Sequence, residues 1–226
     1  MLTLKKVLAR NKVFLILVVS MAFARSAIAD WYEVPSGSMY PTLMIGDRIF
    51  SNRVAYDVKL PFTDIILKHI ADPQRGDVVT FSSPKDGVRL VKRLIAVPGD
   101  VVEMRGERLF INNVAADYVL ATGDVASQLV PDTAGRQLVL NENLLGQKHP
   151  IIVLPEYPAA RSFGPIKVPA GEYMMLGDNR DNSEDSRYIG FVRRELLTGQ
   201  VERVLFSLDS AKYYLPRLSR FGAAIL

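Results

Sequence analysis

Asp77-Val78-Val79-Thr80-Phe81, then Val88-Arg89-Leu90-Val91-Lys92-Arg93-Leu94-Ile95-Ala96-Val97, then Val101-Val102-Glu103 follow one another, separated only by Ser82 to Gly87 and by Pro98-Gly99-Asp100. Short β-branched runs broken by Gly, Pro and Asp read as strands. Working outward, Arg108-Leu109-Phe110-Ile111 runs into Asn112-Asn113, which predicts a hairpin returning at Val114. Tyr173-Met174-Met175-Leu176 enters a turn at Gly177-Asp178-Asn179, and residues 201–208 form a late strand. Helical periodicity is confined to the N-terminus, with one further short helix expected over residues 64–70. Residues 115–165 are loop-rich and read as an insertion or a second β lobe. The expected fold is mainly β.

Composition narrows the chemistry. The chain has 226 residues, 49% hydrophobic and 23% charged, which argues against disorder and low-complexity arrays. Zero cysteines exclude a disulfide scaffold, a thiolate nucleophile and cysteine-ligated metal sites. A net charge of +4, partly held in one N-terminal cluster, gives no case for nucleic-acid binding.

That cluster, Lys5, Lys6, Arg10 and Lys12, precedes an apolar run from Val13 to Ala24. A run of this length fits the core of a cleavable signal, and Ala27-Ile28-Ala29 supplies the small-x-small pattern of a cleavage site. Counted past a snorkelling Arg25 to Trp31, the same segment becomes a spanning anchor with Trp31 and Tyr32 at the interface. The expected organisation is a cytoplasmic basic tail (1–12), a transmembrane signal-anchor (13–31) and an extracytoplasmic domain (32–226). In either membrane reading the body of the protein is exported.

Just beyond lies Pro35-Ser36-Gly37-Ser38-Met39-Tyr40-Pro41-Thr42-Leu43. It reads as a turn joining anchor to body, or as an irregular segment presenting a serine hydroxyl beside backbone N–H groups. A serine nucleophile needs a base. His69 and His149 sit in no partner motif and read as surface or structural residues. Strand alternation puts Lys92 on one face with Leu90, Leu94 and Ala96, and Arg93 on the other. Lys92 is therefore an edge gatekeeper or a buried amine of depressed pKa.

Ser36-Gly37-Ser38-Met39-x-Pro41-Thr42-Leu43, Arg75-Gly76-Asp77-Val78-Val79, Val91-Lys92-Arg93 with Pro98-Gly99-Asp100, and Gly177-Asp178-Asn179-Arg180-Asp181-Asn182-Ser183-x-Asp185-Ser186-Arg187 resemble, in order, the boxes of bacterial type I signal peptidases. The resemblance runs from Tyr32 to Phe206, apart from residues 115–165. It implies a mainly β, signal-peptidase-like fold with a variable β-rich insertion behind one N-terminal membrane helix. It also implies a cytoplasmic-membrane Ser/Lys endopeptidase, using no cofactor or metal, that removes signal peptides from exported preproteins after small-x-small sequences. Its partners would be those preproteins and the lipid bilayer, and no oligomeric state follows from it. On the same resemblance Ser38 is the nucleophile and Lys92 the base, while Ser36 Oγ and the Ser38 N–H form an oxyanion hole. Ser183 orients the amine, Asp185 and Arg187 form a supporting ion pair, and Tyr32, Val34, Met39, Leu43, Thr80 and Val91 line the substrate pockets. Ala96 stands where the family usually has glycine, and Thr80 is more polar than the usual aliphatic.

Other chemistries fit less well. Ser82-Ser83-Pro84-Lys85 satisfies Ser-x-x-Lys, but Pro84 opposes the helical turn that motif needs, and Lys-Thr-Gly is absent. The acidic run 178–185 has Arg180 at a ligand position of a calcium loop and no glycine at the sixth place. A non-catalytic envelope protein would have no use for Ser38, Lys92 and Ser183 together. A self-cleaving repressor would need a DNA-binding unit where the apolar segment stands. A processing peptidase of a conjugation or secretion system shares the motifs and is the closest alternative.

Overall fold

The computed structural model describes residues 11–63, 65–131, 133 and 135–225; Lys5, Lys6 and Arg10 of the expected basic tail lie outside them. Helix α1 (Lys12–Ala27) is apolar all round: Val13, Phe14, Ile16, Leu17, Val19 and Met21 are each 62–66% exposed. Such a helix is at home only in a core or in lipid. Its 16 residues span about 24 Å, against about 30 Å of bilayer hydrocarbon. Among the described residues no helix is long and apolar enough to cross a membrane.

The expected span over 13–31 is corrected at its end. Residues 29–31 belong to strand β1 (Ala29–Glu33), which pairs antiparallel with β2 (Asp47–Asn52), Ala29 opposite Asn52 and Trp31 opposite Phe50. Ladder hydrogen bonds and the Arg25–Asp30 ion pair at 2.6 Å take the backbone out of the helix before Trp31. A second correction falls on the short helix expected over 64–70. There β3 (Asp57–Lys59) and β4 (Ile66–His69) form a hairpin instead, because Ile66, Lys68 and His69 pair with Lys59, Val58 and Asp57 in a two-stranded ladder. Asp64 lies outside the described residues.

The β-branched runs that begin at Asp77 enter the main sheet. Strands β5 (Val78–Ser82) and β6 (Arg89–Ala96) pair with Lys92 opposite Val79 and Arg93 opposite Val78. Beyond them come β7 (Val101–Arg105), β8 (Arg108–Ile111) and β9 (Val114–Ala115), with Asn112 and Asn113 at positive φ in the tight turn their identities predict. Residues 115–165 are more ordered than loop-rich. They hold β10 (Asp117–Leu120), β11 (Leu138–Leu144) and β12 (Gln147–Val153) as a three-stranded meander, then β13 (Phe163–Lys167) beside β7. Last are β14 (Glu172–Leu176), β15 (Val192–Arg193), β16 (Leu197–Asp209) and β17 (Leu215–Pro216). The large sheet runs β1-β2-β16-β5-β6-β14-β15, with β17 on β16.

Two apolar clusters hold the β1–β2 loop and the strands around β6 in place. Val34, Met39, Leu43, Ile49, Val78, Val201 and Val204 pack the β1–β2 loop onto the sheet. Ile95, Ala96, Val102, Met104, Leu109 and Met174 join the sheet to β7 and β8. Between them runs one buried ion pair. Arg93 Nε and Nη2 donate to the two carboxylate oxygens of Asp178 at 2.9 Å each, and both side chains are 1% exposed. Arg93 Nη1 also donates to the Gly76 carbonyl at 2.7 Å, and Thr42 Oγ1 donates to Asp178 Oδ2 at 2.5 Å. Burial alone would raise the Asp178 pKa, but the Arg93 guanidinium holds the carboxyl below the usual carboxylate range.

Removing one partner strands the other charge in the interior. Arg93→Met should destabilise the fold by about 3–5 kcal/mol, and Arg93→Met/Asp178→Leu by clearly less than that. Denaturant unfolding of the two variants beside the parent checks this; equal losses would mean that the pair carries no mutual dependence.

Candidate active site

Ser38 sits in the loop of residues 34–46 between β1 and β2. The loop closes on itself: Val34 N–H donates to the Asp47 carbonyl at 2.9 Å and Gly46 N–H to the Val34 carbonyl at 3.0 Å. Inside it, Leu43 N–H donates to the Met39 carbonyl at 2.9 Å, and buried Met39 and Leu43 pin the turn to the core. Asn179 clamps the segment from the far side. Its Nδ2 donates to the Gly37 carbonyl at 3.0 Å and its backbone N–H to the Ser38 carbonyl at 3.1 Å. The Ser38 backbone is therefore held by residues 141 positions away in sequence (38 to 179).

Lys92 reaches this loop from β6, and its Nζ donates to Ser38 Oγ at 2.6 Å. The side chain is 3% exposed. Burial, opposed by the carboxylates of Asp185, Asp178 and Glu184, lowers its pKa from 10.5 to about 8. A fraction of such an amine is neutral near pH 7, whereas a solvated lysine is fully charged there. A neutral amine against a serine hydroxyl can accept its proton, the minimal equipment for nucleophilic catalysis.

The other expected residues fall at varied distances from this pair. Ser36 Oγ lies 3.5 Å from Ser38 Oγ, a long and weak contact. Asp185 and Arg187 form a bidentate pair, Nε to Oδ1 and Nη2 to Oδ2 at 2.8 Å each, with side chains 0% and 2% exposed. Asp185 Oδ2 also accepts from Gly177 N–H at 3.0 Å, fixing the turn that carries Asp178 and Asn179. The expectation that Ser183 hydrogen-bonds Lys92 does not hold: Ser183 Oγ is buried with no hydrogen-bond partner among the described residues. It packs instead against Gly177, where a Cβ would collide with that oxygen and come within 2.5 Å of the Ser38 carbonyl. Gly177 is thus required by close approach rather than by its backbone angles.

A cleft of about 350 Å³ opens over the pair, lined by Tyr32, Val34, Pro35, Met39, Leu90 and Val91, with Ser36, Ser38 and Lys92 also in its wall. Leu43 and Thr80, expected to line it, do not. Leu43 is buried in the core beneath the loop, and the Thr80 hydroxyl is engaged by Ser51, Thr198 and the Gly199 carbonyl. Arg89, not foreseen from sequence, sits 4.8 Å over the Tyr32 ring and donates to its hydroxyl at 2.6 Å. Burial and a hydrogen bond with Asp30 push the Tyr32 phenol up to about 12, so it stays neutral. Arg93, Asp178, Asn179 and Thr42 were also missed; their adjacency to the singled-out residues was the available signal.

A larger cavity, about 970 Å³, lies behind Pro41 and Thr42 against β10–β12 and holds no nucleophile–base pair. His149 is at its edge, buried, 3.2 Å from Glu142 but with neither ring nitrogen in an aligned hydrogen bond. Burial opposes ionisation of Glu142, yet Arg180, donating at 2.5 and 2.7 Å, holds its carboxyl below the usual range. Among the described residues no three His, Asp or Glu side chains converge to hold a metal ion.

Residues 7–206 match the family described as signal peptidase, peptidase S26. The signal peptidase I of Pseudomonas fluorescens is 38% identical over 211 residues, covering 88% of this chain and 72% of that protein. The signal peptidase I of Pseudomonas aeruginosa is 36% identical over 217 residues with the same coverage. A solved signal peptidase I from Enterococcus faecalis is 35% identical and covers 58% of this chain and 97% of its own, with a TM-score of 0.36, too low to carry a structural argument.

The buried amine has a cost that can be measured. Lowering the Lys92 pKa from 10.5 to about 8 corresponds to about 3 kcal/mol of destabilisation, present in full below pH 8. Because the unfolded chain binds that proton more tightly, the penalty is relieved as pH rises from about 8 to 10.5. Lys92→Met should therefore unfold at higher denaturant than the parent at pH 6–7, with the gain shrinking above pH 8. A gain independent of pH would mean that the amine is solvated.

Proposed function

The chain belongs to the signal peptidase family, peptidase S26, and is a serine peptidase that hydrolyses peptide bonds; from that premise we propose that Ser38 and Lys92 are its catalytic pair and that it removes N-terminal signal peptides from exported preproteins. The observation that carries the assignment is the 2.6 Å contact between a buried amine of lowered pKa and the Ser38 hydroxyl.

In this reading neutral Lys92 takes the Ser38 proton as Oγ attacks the scissile carbonyl. The oxyanion is met by the Ser38 N–H and the Ser36 hydroxyl, which turns from Ser38 Oγ toward the developing charge. Lys92 then gives its proton to the departing amine of the mature chain, leaving an acyl ester on Ser38. Water, deprotonated by the same amine, hydrolyses that ester and restores the serine. Asp185 and Arg187 hold the turn that carries Asp178 and Asn179, and Ser183 is a positioning residue packed on Gly177.

The substrate lies extended between residues 32–36 and 89–91. The apolar walls supplied by Tyr32, Val34, Met39 and Val91 favour uncharged side chains, with which small-x-small sequences ending in alanine-like residues are compatible. Helix α1 serves as the membrane anchor, N-terminus cytoplasmic and the domain outside. Its uniformly apolar surface supports this, as does Arg25 stacked 4.7 Å over Trp31 where the helix ends. Self-cleavage after Ala29 within one molecule is disfavoured, because Ala29 is paired into β1 against Asn52 and the Ile28 carbonyl accepts from Arg53 N–H at 2.9 Å.

Ser38→Ala and Lys92→Ala should each abolish cleavage of a purified preprotein, and the double variant should be no worse than either. Lys92→Arg should fail as well, since guanidinium stays protonated. Ser36→Ala should cost on the order of 10²–10³ in turnover, as one oxyanion donor does. N-terminal sequencing of the product and initial rates measure this, and substantial activity in Ser38→Ala would refute the pair.

The pH profile depends on the same amine. Activity, kcat/KM, should rise with pH through a midpoint of about 8, because only the deprotonated lysine is a base. A flat profile across mildly acidic to alkaline conditions would count against Lys92.

A further inference from the structure

The cleft over Ser38 carries a positive charge that the proposed reaction does not use. Besides the Tyr32 phenol, the ionisable groups in its wall are Glu33, Arg89 and Lys92. Lys92 sits on Ser38, and Glu33 is paired with Arg48 at 2.6 Å. Arg89 has only a distant carboxylate. Its Nη1 lies 4.0 Å from Asp30 Oδ2, and Asp30 already meets Arg25 at 2.6 Å and Arg53 at 3.9 Å. Three guanidiniums share one carboxylate there, a surplus of two positive charges (3 − 1). The Tyr32 hydroxyl accepts from Arg89 Nη1 at 2.6 Å, and the guanidinium stacks 4.8 Å over the ring. Because that phenol stays neutral, it orients Arg89 without cancelling its charge. The side chain is 42% exposed, so the charge faces whatever fills this end of the cleft.

Strand pairing places Arg89 relative to the bond that is cut. On one edge of β6, β5 pairs from Arg89 to Arg93, whereas β14 takes the other edge only from Arg93 to Ala96. Residues 89–92 are therefore open on that side to an extended chain. With the scissile carbonyl at Ser38 and Lys92, Arg89 lies three positions (92 − 89) and about 10 Å farther along β6, and its side chain reaches beyond that toward Asp30.

We propose that Arg89 is a specificity-determining residue that reads charge roughly five residues before the cut, rejecting cationic side chains there and favouring acidic ones. The inference rests on the proposed reaction and on a substrate extended between residues 32–36 and 89–91. A signal segment carries its basic residues ahead of the apolar stretch and its small residues after it. A cation this close to the cut therefore marks a segment whose apolar stretch is too short or is out of register. Arg89 turns that fault into a repulsion at the lip of the cleft, while Lys92 stays out of reach at the reacting bond.

The test uses the full-length protein in detergent and one preprotein that carries Glu, Gln or Lys, in turn, at the fourth, fifth and sixth residues before the cut. The ratio of kcat/KM for Glu over Lys is the readout. In the parent it should be about tenfold at one of these positions, with Gln between, and should shrink toward one in about 0.5 M salt. Arg89→Gln should bring the ratio near one, and Arg89→Glu should invert it. Arg105→Glu makes the same charge change on an exposed strand end outside the cleft and should keep the parental ratio. An equal shift in Arg105→Glu would assign the preference to net charge and overturn the role of Arg89. If Arg89 only supported Tyr32, Arg89→Gln would slow all three substrates alike and leave the ratio intact, which would also overturn it. A parental ratio of one at all three positions would do the same, yet cleavage that is lost in Ser38→Ala would leave the Ser38–Lys92 reading standing. Failure of the parent to cut any version would overturn that reading and this inference together.

Discussion

One buried guanidinium–carboxylate pair organises the site. Arg93 and Asp178 lie on segments 85 residues apart, and neither tolerates the interior without the other. Once paired, Arg93 also takes the Gly76 carbonyl and Asp178 takes the Thr42 hydroxyl, so the pair fixes three segments against β6. The turn that carries Asp178 then delivers Asn179 to the carbonyls of Gly37 and Ser38. The Ser38 loop is held by its backbone, which leaves the Ser38 side chain facing the cleft beside Lys92.

Strand geometry turns that anchor into chemistry. Arg93 is pulled to one face of β6, and Lys92 must then take the other. On that face it meets Ser38 rather than water. The amine is desolvated because its neighbour in sequence locks the strand in register, and the lowered pKa is the result. The fold gives up stability to hold a buried amine of which a fraction is neutral near physiological pH.

A second feature is the density of buried ion pairs in the segment after β14. Arg180 with Glu142, and Arg187 with Asp185, are both nearly inaccessible to solvent. They join this segment to the β10–β12 meander and to its own turn. Such pairs add little net stability over apolar packing, but they specify one arrangement, since any slip leaves a charge unpaired. The β10–β12 meander and the turn that carries Asp178 and Asn179 are thereby referred to a single segment.

Much of this was legible in the sequence. Alternation over Leu90 to Val97 separated Lys92 from Arg93, the Asn112-Asn113 pair foretold its hairpin, and the ordered motifs pointed to Ser38 and Lys92 before any geometry. These are local properties, fixed by the two-residue period of a strand and by the φ preferences of turn residues. What local pattern could not supply was partnership across long separations. Residues 66–69 read as helix because a short apolar run has no period of its own, and only the ladder with Asp57–Lys59 makes them a strand. Thr80 and Leu43 looked like pocket walls until Ser51, Thr198 and the core claimed them, and Ser183 lost its expected bond to Lys92 by packing on Gly177. The amino-acid order determined which groups are present and which way each faces along its own strand. The tertiary structure alone decided which of them meet and which are shut off from water, because desolvation and long-range pairing exist only once distant segments are packed together.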